Sequence, residues 1–315
     1  MGSILVIGSS NTDMVVKTSN FPTPGQTVLG GEFFMFPGGK GANQAVAAAR
    51  LNKDDKNLSK TGSGVTFITK LGTDIFGDQS LAGFINSGID CRYIMRDGEH
   101  PSGVALITVN ERGENHIVVA PGANNSLMPA DLDQAELAFL HADLVLMQLE
   151  IPIDTIVYAA EKANSMGKKI VLNPAPAQAL PEALFATLFL FTPNETEAEY
   201  YTGINIHNED SAREAAKILL SKGIRNVVIT LGSKGAFFKN DIEEMMVSAP
   251  VVKAVDTTAA GDVFNGALCV ALSELMPWKE ALAWACRAAA FSVTRMGAQS
   301  SAPTKEELAR LETLD

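Results

Sequence analysis

From residue 129 onward the chain alternates short apolar runs with amphipathic stretches, and this alternation restricts the fold more than any other feature. Residues 144–147, 169–173, 189–191 and 226–231 have the apolar, β-branched character of buried strands. Residues 129–141, 153–166, 195–202 and 211–222 have the 3.6-residue spacing of helices. Strands separated by helices cannot pair as tight hairpins. They line up in parallel, with helices over both faces of the sheet. The N-terminal part fits the same scheme, with a strand over residues 4–7, another over 65–69 and a helix over 74–87. Residues 277–295 predict a long alanine-rich helix, and 304–314 an amphipathic one opened by the capping-box-like Thr304-Lys305-Glu306-Glu307. The expected fold class is α/β, a doubly wound, mostly parallel sheet flanked by helices.

Two stretches break the rhythm. Residues 14–36 contain β-like pieces (14–16, 27–29 and 32–36) separated by Pro22, Pro24, Gly25, Gly30 and Gly31. Residues 93–119 alternate β-like segments with Gly98, Gly103 and Gly113. Together they predict a small antiparallel sheet built from two insertions, at about 13–37 and 92–120, lying as a lid over one domain spanning 1–315. Phe33, Met35, Ile117 and Val119 would leave apolar surface on such a sheet, and pairing of two lids would cover it, so a homodimer is expected. Residues 52–64 are polar and predict a surface loop.

Composition narrows the partners. A net charge of −11 argues against nucleic acid or an anionic membrane, though a local pocket can still oppose the overall sign. No apolar run is long enough to span a bilayer, and no basic segment precedes residues 4–7, so neither a membrane span nor a signal peptide is expected. Cys91, Cys269 and Cys286 match no zinc or disulfide spacing and predict reduced thiols in a cytoplasmic protein. His100, His116, His141 and His207 are scattered without metal-ligand spacing.

In an open α/β sheet, ligands bind outside the carboxyl ends of the strands, so polar residues there are the candidates for a site. Asn11 and Asp13 follow the first strand and could grip vicinal hydroxyls, or form a polar turn. Gly38 and Gly39 allow close backbone approach before an alanine-rich helix. Lys40 could meet a phosphate or a hydroxyl, and Asn43 lies one turn on, facing the same way. The segment lacks the spacing and ending of a P-loop. Gln148 and Glu150, Asn173, Asn194 and Glu197, and Thr230 fall at further strand ends. Thr230-Leu231-Gly232-Ser233-Lys234-Gly235 fits a glycine turn beside a nucleotide or, equally, a hairpin turn.

The stretch from Asp256 to Ala267 carries the most chemistry. Ala259, Ala260 and Gly261 let a ligand approach the backbone, and a helix starting at Gly261 or Asp262 aims free N–H groups at an anion. Asp262 adds a potential general base, which is what phosphoryl transfer to a hydroxyl needs. An acidic residue in a helix's first turn is also a common structural feature.

These segments, in this order, resemble the ribokinase-like (PfkB) carbohydrate kinases over nearly the whole chain. The resemblance rests on Asn11-Thr12-Asp13, Gly38-Gly39-Lys40-Gly41-Ala42-Asn43, Met147-Gln148-Leu149-Glu150, Asn173-Pro174-Ala175-Pro176-Ala177, Thr192-Pro193-Asn194-Glu195-Thr196-Glu197, Asp256-Thr257-Thr258-Ala259-Ala260-Gly261-Asp262 and residues 294–299. It implies transfer of the ATP γ-phosphoryl group to O5 of D-ribose. Asp262 would be the base, and the amides of Ala259, Ala260 and Gly261 the anion hole. It places the sugar on Asn11, Asp13, Gly39, Lys40, Asn43 and Glu150. The nucleotide falls to Asn194, Thr230, Leu231, Gly232, Ser233, Lys234 and Gly235, with Gly261 and Cys286 beside it. Glu197 is linked to Mg²⁺, and an activating K⁺ is implied at Asp256, Thr258, Ser292, Arg295, Gly297 and Ser301, mostly through backbone carbonyls. A kinase for deoxyribose or fructose, or a non-catalytic sugar-binding protein, are the competing expectations.

Overall fold

The structure, a computed structural model, describes residues 2–52 and 64–312. The expected polar loop lies almost entirely, and the end of the expected last helix wholly, outside the described residues. In chain order the elements are β1 (Ile4–Ile7), β2 (Asn11–Lys17), β3 (Glu32–Gly38), α1 (Lys40–Asn52), β4 (Val65–Gly72), α2 (Ile75–Asn86), β5 (Ile94–Asp97), β6 (Gly103–Val109) and β7 (Asn115–Ala120). Then come α3 (Pro129–Asp133), α4 (Glu136–His141), β8 (Leu144–Met147), α5 (Ile153–Ser165), β9 (Lys169–Leu172), α6 (Glu182–Phe185), β10 (Leu190–Phe191), α7 (Glu195–Thr202) and α8 (Glu209–Ser221). The chain finishes with β11 (Asn226–Thr230), β12 (Ala236–Asn240), β13 (Glu244–Val247), α9 (Ala260–Ser273), α10 (Trp278–Ser292) and α11 (Lys305–Glu312).

Among the described residues, nine strands form the large sheet in the order β13-β12-β11-β10-β9-β8-β1-β4-β5. From β5 to β11 every pairing is parallel, and β12 and β13 add an antiparallel edge. The chain runs from β1 out to β4 and β5, then restarts on the other side at β8. The order therefore reverses beside β1, which opens a crevice at the carboxyl ends of β1 and β8. All four β1 side chains are buried. Ile4 and Val6 enter the core shared with α1, α9 and α10, while Leu5 and Ile7 enter the core shared with α5 and α8. A strand buried on both faces reads as a continuous apolar run for that reason.

Helices α1 and α9 pass close to each other because their contact is made of small residues. A Cβ at Gly266 would meet Gln44 O at 2.8 Å and Ala47 Cβ at 2.9 Å. Ala42, Ala45, Ala47 and Ala48 are fully buried on α1. This close approach sets the first turn of α9 against the first turn of α1.

The smaller sheet has the order β3-β2-β6-β7. It differs from the expected antiparallel sheet in three ways. First, β2 and β6 pair in parallel, from Asn11 opposite Gly103 to Lys17 opposite Val109. Both strands leave the body at those residues, so they run outward side by side. Second, Ile94–Asp97, expected within the second insertion, extends the large sheet by pairing with β4. Third, residues 27–29 form no strand. The pleat sends alternate side chains to opposite faces. Val15, Phe34, Phe36, Ile107 and Ile117 line a cavity of about 450 Å³ between this sheet and the loops around residues 256 and 297. Register puts Val16, Phe33, Met35, Leu106 and Val118 on the other, exposed face. The four residues expected to cover one interface thus split, with Phe33 and Met35 facing outward and Ile117 and Val119 facing the body.

Two smaller differences concern the body. The single helix expected over 129–141 is two short ones, α3 and α4. Residues 230–235, read from sequence as a turn beside a nucleotide or equally a hairpin turn, form the hairpin turn between β11 and the antiparallel β12, whose Phe237 and Phe238 are fully buried.

Candidate active site

The crevice beside β1 gathers the polar residues expected at the first two strand ends. Gly39 has φ +85°, and a Cβ there would meet Asn11 N at 2.6 Å, so the turn into α1 lies directly on the start of β2. Glu150, just past β8, accepts from Ser9 Oγ at 2.6 Å and from the Lys40 N–H at 2.9 Å. Asn11 Oδ1 accepts from Asn124 Nδ2 at 2.8 Å, leaving the Asn11 Nδ2 end to donate. Asp13 sits near Glu150, Asp262 and Lys40. Burial, and then the neighbouring Glu150 and Asp262 carboxylates, raise its pKa to about 6. Burial works against the Lys40 ammonium, but Asp262, Glu150, Glu197 and Asp13 together raise its pKa above the usual lysine value.

Asp262 lies in the first turn of α9 and is buried. Its Oδ2 accepts from Asn43 Nδ2 and its Oδ1 from Gln44 Nε2, each at 2.9 Å. Burial raises its pKa, and the Lys40 charge and the two amide donors act in the opposite direction. Asn43 Oδ1 is a buried acceptor with no partner among the described residues. A buried amide oxygen left in this way calls for a donor from outside the protein, such as a hydroxyl.

Just before Asp262 the backbone turns sharply. Ala259, the N-cap, adopts φ 59° and ψ 12°, a left-handed conformation rare for residues other than glycine. The turn lines a cavity of about 200 Å³ together with Lys40, Glu197 and Asp262, among others. Ala260 N–H reaches Thr257 O at 3.3 Å, while the N–H groups of Ala259 and Gly261 find no acceptor among the described residues. Free donors at the positive end of a 14-residue helix suit an anion.

The opposite wall comes from β11 and α7. Asn194 and Thr230 sit side by side on neighbouring strand ends and line the same cavity. Asn194 Oδ1 caps α7 by accepting from Glu197 N at 2.8 Å, and Glu197 Oε2 accepts from Asn194 N at 2.8 Å. Burial raises the Glu197 pKa, partly offset by the Asn194 N–H and by Lys40. Gly232, Ser233 and Lys234 continue as an exposed turn from Thr230, closed by Leu231 N–H to Gly235 O at 2.8 Å. Cys286, expected beside the nucleotide, packs in the core on α10 with its thiol pushed up to about 12 by burial.

A third group joins two loops behind the anion-friendly turn. Asp256 Oδ1 accepts from Thr258 N and Oδ2 from Gly297 N, each at 2.9 Å. The N–H of Asp256 bonds Val293 O at 3.1 Å, and Ser292 O accepts from Arg295 N at 3.1 Å. The Arg295 side chain turns away to Glu307 and stacks on Phe291, so only its backbone faces these loops. Ser301 is buried, with Oγ bonded to Ala298 O at 2.8 Å. The Asp256 carboxylate, anchored by two N–H groups, joins the two loops; with carbonyls of those loops it would make an all-oxygen donor set of the kind that fits a hard cation. For a divalent ion, no group of three or more acidic, histidine or cysteine side chains gathers among the described residues.

Sequence reasoning overlooked Gln44, Asn124 and Asn265. Gln44 had a signal, a second consecutive amide inside an otherwise apolar helix. Asn124 had none, because its partners Ser10 and Asn11 lie more than a hundred residues away.

The model of the pfkB family carbohydrate kinases matches residues 1–305. The chain is similar to a ribokinase of Haemophilus influenzae, 43% identical over 305 residues covering 97% of this chain and 96% of that one. It is also similar to a deoxyribokinase of Salmonella typhi, 39% identical over 305 residues and 96% of each chain. Its fold matches that of an Arabidopsis thaliana ribokinase solved with ribose and ATP, with TM-score 0.90, 28% identity and 99% of both chains covered.

Proposed function

The chain belongs to the pfkB family of carbohydrate kinases, and from that premise we propose that it transfers the γ-phosphoryl group of ATP to O5 of D-ribose, giving D-ribose 5-phosphate and ADP. One observation carries the chemistry: the buried Asp262 carboxylate shares a single cavity with the unpaired N–H groups of Ala259 and Gly261. Asp262 accepts the hydroxyl proton, and the amides of Ala259, Ala260 and Gly261 stabilise the charge developing on the transferred group. Asn11, Asp13, Gly39, Lys40, Asn43 and Glu150 hold the sugar, with Asn43 Oδ1 available to a hydroxyl. Asn194, Thr230 and the turn to Gly235 hold the nucleotide.

Magnesium would reach the site on the ATP phosphates, with Glu197 nearby to bind its water shell. This suits an ion that prefers phosphates and few carboxylates. Potassium would rest on Asp256 and the carbonyls of Thr258, Ser292, Arg295, Gly297 and Ser301, and would order the turn at Ala259. The smaller sheet acts as the lid, excluding water from the transfer step. Two lids would pair through the face carrying Val16, Phe33, Met35, Leu106 and Val118 to give a homodimer. The free cysteines suit the reducing cytoplasm, and among the described residues no helix is long and apolar enough to cross a membrane.

A panel of pentoses and hexoses in an ADP-release assay tests the reading. D-Ribose should exceed 2-deoxy-D-ribose in kcat/KM by roughly tenfold or more, because a polar site left unpaired by a missing hydroxyl discriminates against the analogue. A better turnover of deoxyribose or fructose would replace the sugar and leave the kinase class standing.

A further inference from the structure

Asp262 has one hydrogen-bond partner that a sugar cannot reach. Asn43 offers its Nδ2 to Oδ2 but keeps its Oδ1 free, so it serves both the carboxylate and a ligand. Gln44, the next residue, is fully buried. Its Nε2 donates to Asp262 Oδ1 at 2.9 Å and to Asn173 Oδ1 at 3.0 Å. Its Oε1 accepts from Gln148 Nε2 at 2.6 Å. A primary amide has one acceptor end and one donor end. Because Gln148 occupies the acceptor end, the donor end faces Asp262. Reversing the amide would set an oxygen against the carboxylate and two NH₂ groups against each other.

The chain of bonds continues past Gln44. Asn173 Nδ2 donates to Thr192 O at 3.0 Å, and Thr192 Oγ1 donates to Asn265 Oδ1 at 2.6 Å. Asn265 Nδ2 then donates to Gly261 O at 2.8 Å. The network starts at the end of β8, crosses α1 and the ends of β9 and β10, and returns to the peptide next to Asp262. It fixes both the carboxylate and the adjoining turn; Gln44 and Thr192 are buried, while Asn173 and Asn265 also line the cavity beside Asp262.

We propose that Gln44 is a positioning residue: locked by Gln148 and Asn173, it keeps the Asp262 carboxylate ionised and aimed at the sugar hydroxyl. This rests on the reading of Asp262 as the base. The charged groups facing that carboxylate are Lys40 on α1, Glu150 beyond β8, Asp13 on β2 and Glu197 on α7. Lys40 favours the ionised form and the three carboxylates oppose it. Gln44 adds a neutral donor that neither sugar nor nucleotide displaces, so its effect persists through the catalytic cycle.

The test compares steady-state kinetics against pH for Gln44→Met, Gln148→Leu and Asp262→Asn. Gln44→Met should lower kcat roughly tenfold to a hundredfold, leave the KM for ribose within about threefold, and move the acidic limb of the kcat profile up by about one pH unit. Gln148→Leu, which leaves Asp262 untouched and removes only the donor that holds the Gln44 oxygen, should shift the limb the same way by less. It also carries the test if Gln44→Met does not fold. An unmoved acidic limb in the folded variants, or a loss confined to KM, overturns the inference. A turnover-competent Asp262→Asn overturns the base reading itself, through a different variant.

Discussion

Two aspartates six positions apart, Asp256 and Asp262, occupy opposite electrostatic settings. Asp262 is enclosed between α1 and α9, and burial raises its pKa despite Lys40 and two side-chain amides. Asp256 is half-buried, and burial works against its charge too. Bonds from Thr258 and from the Gly297 N–H outweigh it and hold its pKa below the usual carboxylate value. The donors differ in kind. Those on Asp262 are side chains projecting from α1, and they fix the carboxylate in space while burial outweighs their lowering of its pKa. Those on Asp256 are largely backbone groups of its own and a neighbouring loop, which makes it a staple between loops. Residue type and local sequence are shared, so the difference lies in what the tertiary structure packs around each.

The largest expected effect comes from removing the charge at the buried position. Asp262→Asn should lower kcat by roughly 10²–10⁴ with sugar binding largely retained, measured by turnover alongside calorimetric titration with ribose. Near-normal turnover would erase the contrast between the two aspartates. Asp256→Asn should cost less, roughly tenfold in kcat, and should bring the ratio of rates in K⁺ and Na⁺ close to one. Parent enzyme that turns over equally in both salts would count against the cation loop.

Asp13 sharpens the comparison because it shares the Asp262 setting without the amide donors. Its folded pKa of about 6 lies above the ordinary 3.8. The contribution of Asp13 to stability is therefore fully present below pH 3.8 and is lost as pH rises through 6. Asp13→Asn should accordingly melt above the parent by about 2–4 °C at pH 8, corresponding to roughly 1 kcal/mol, while its KM for ribose rises. Scanning calorimetry at pH 5 and 8 checks the sign, since the gain must shrink at the lower pH. The smallest effect is expected between the two aspartates. Ala259→Gly relieves a left-handed residue but loosens the unfolded chain, so stability should change by less than about 1 kcal/mol with kcat within a few-fold. A large loss of turnover there would mean that the methyl group itself shapes the turn.

Most of the parallel sheet was legible because each strand is a short apolar run buried on both faces, and such runs need no knowledge of their neighbours. The edge hairpin of β12 and β13 escaped notice because Lys239 and Asn240 interrupt its apolar pattern and Glu244 opens its second strand. The assignment of residues 94–97 to the second insertion failed for a related reason. Its Ile-Met-Arg-Asp sequence suits either sheet, and only its pairing with β4 decides. At the site, Asn43 and Asp262 could be singled out by type and position, whereas Asn124 could not.

The sequence by itself determined the α/β class, the two insertions, the anion-friendly helix start and the candidate carboxylates, because local propensity, periodicity and chain order encode them. Tertiary structure alone decided which groups surround each carboxylate. Gln44 and Asp262 lie 218 residues apart yet meet at 2.9 Å. They do so because small side chains on α1 and Gly266 on α9 let two helices approach almost to backbone contact. Hydrogen bonds and desolvation act over a few ångströms of space, and the linear order of residues does not record that distance.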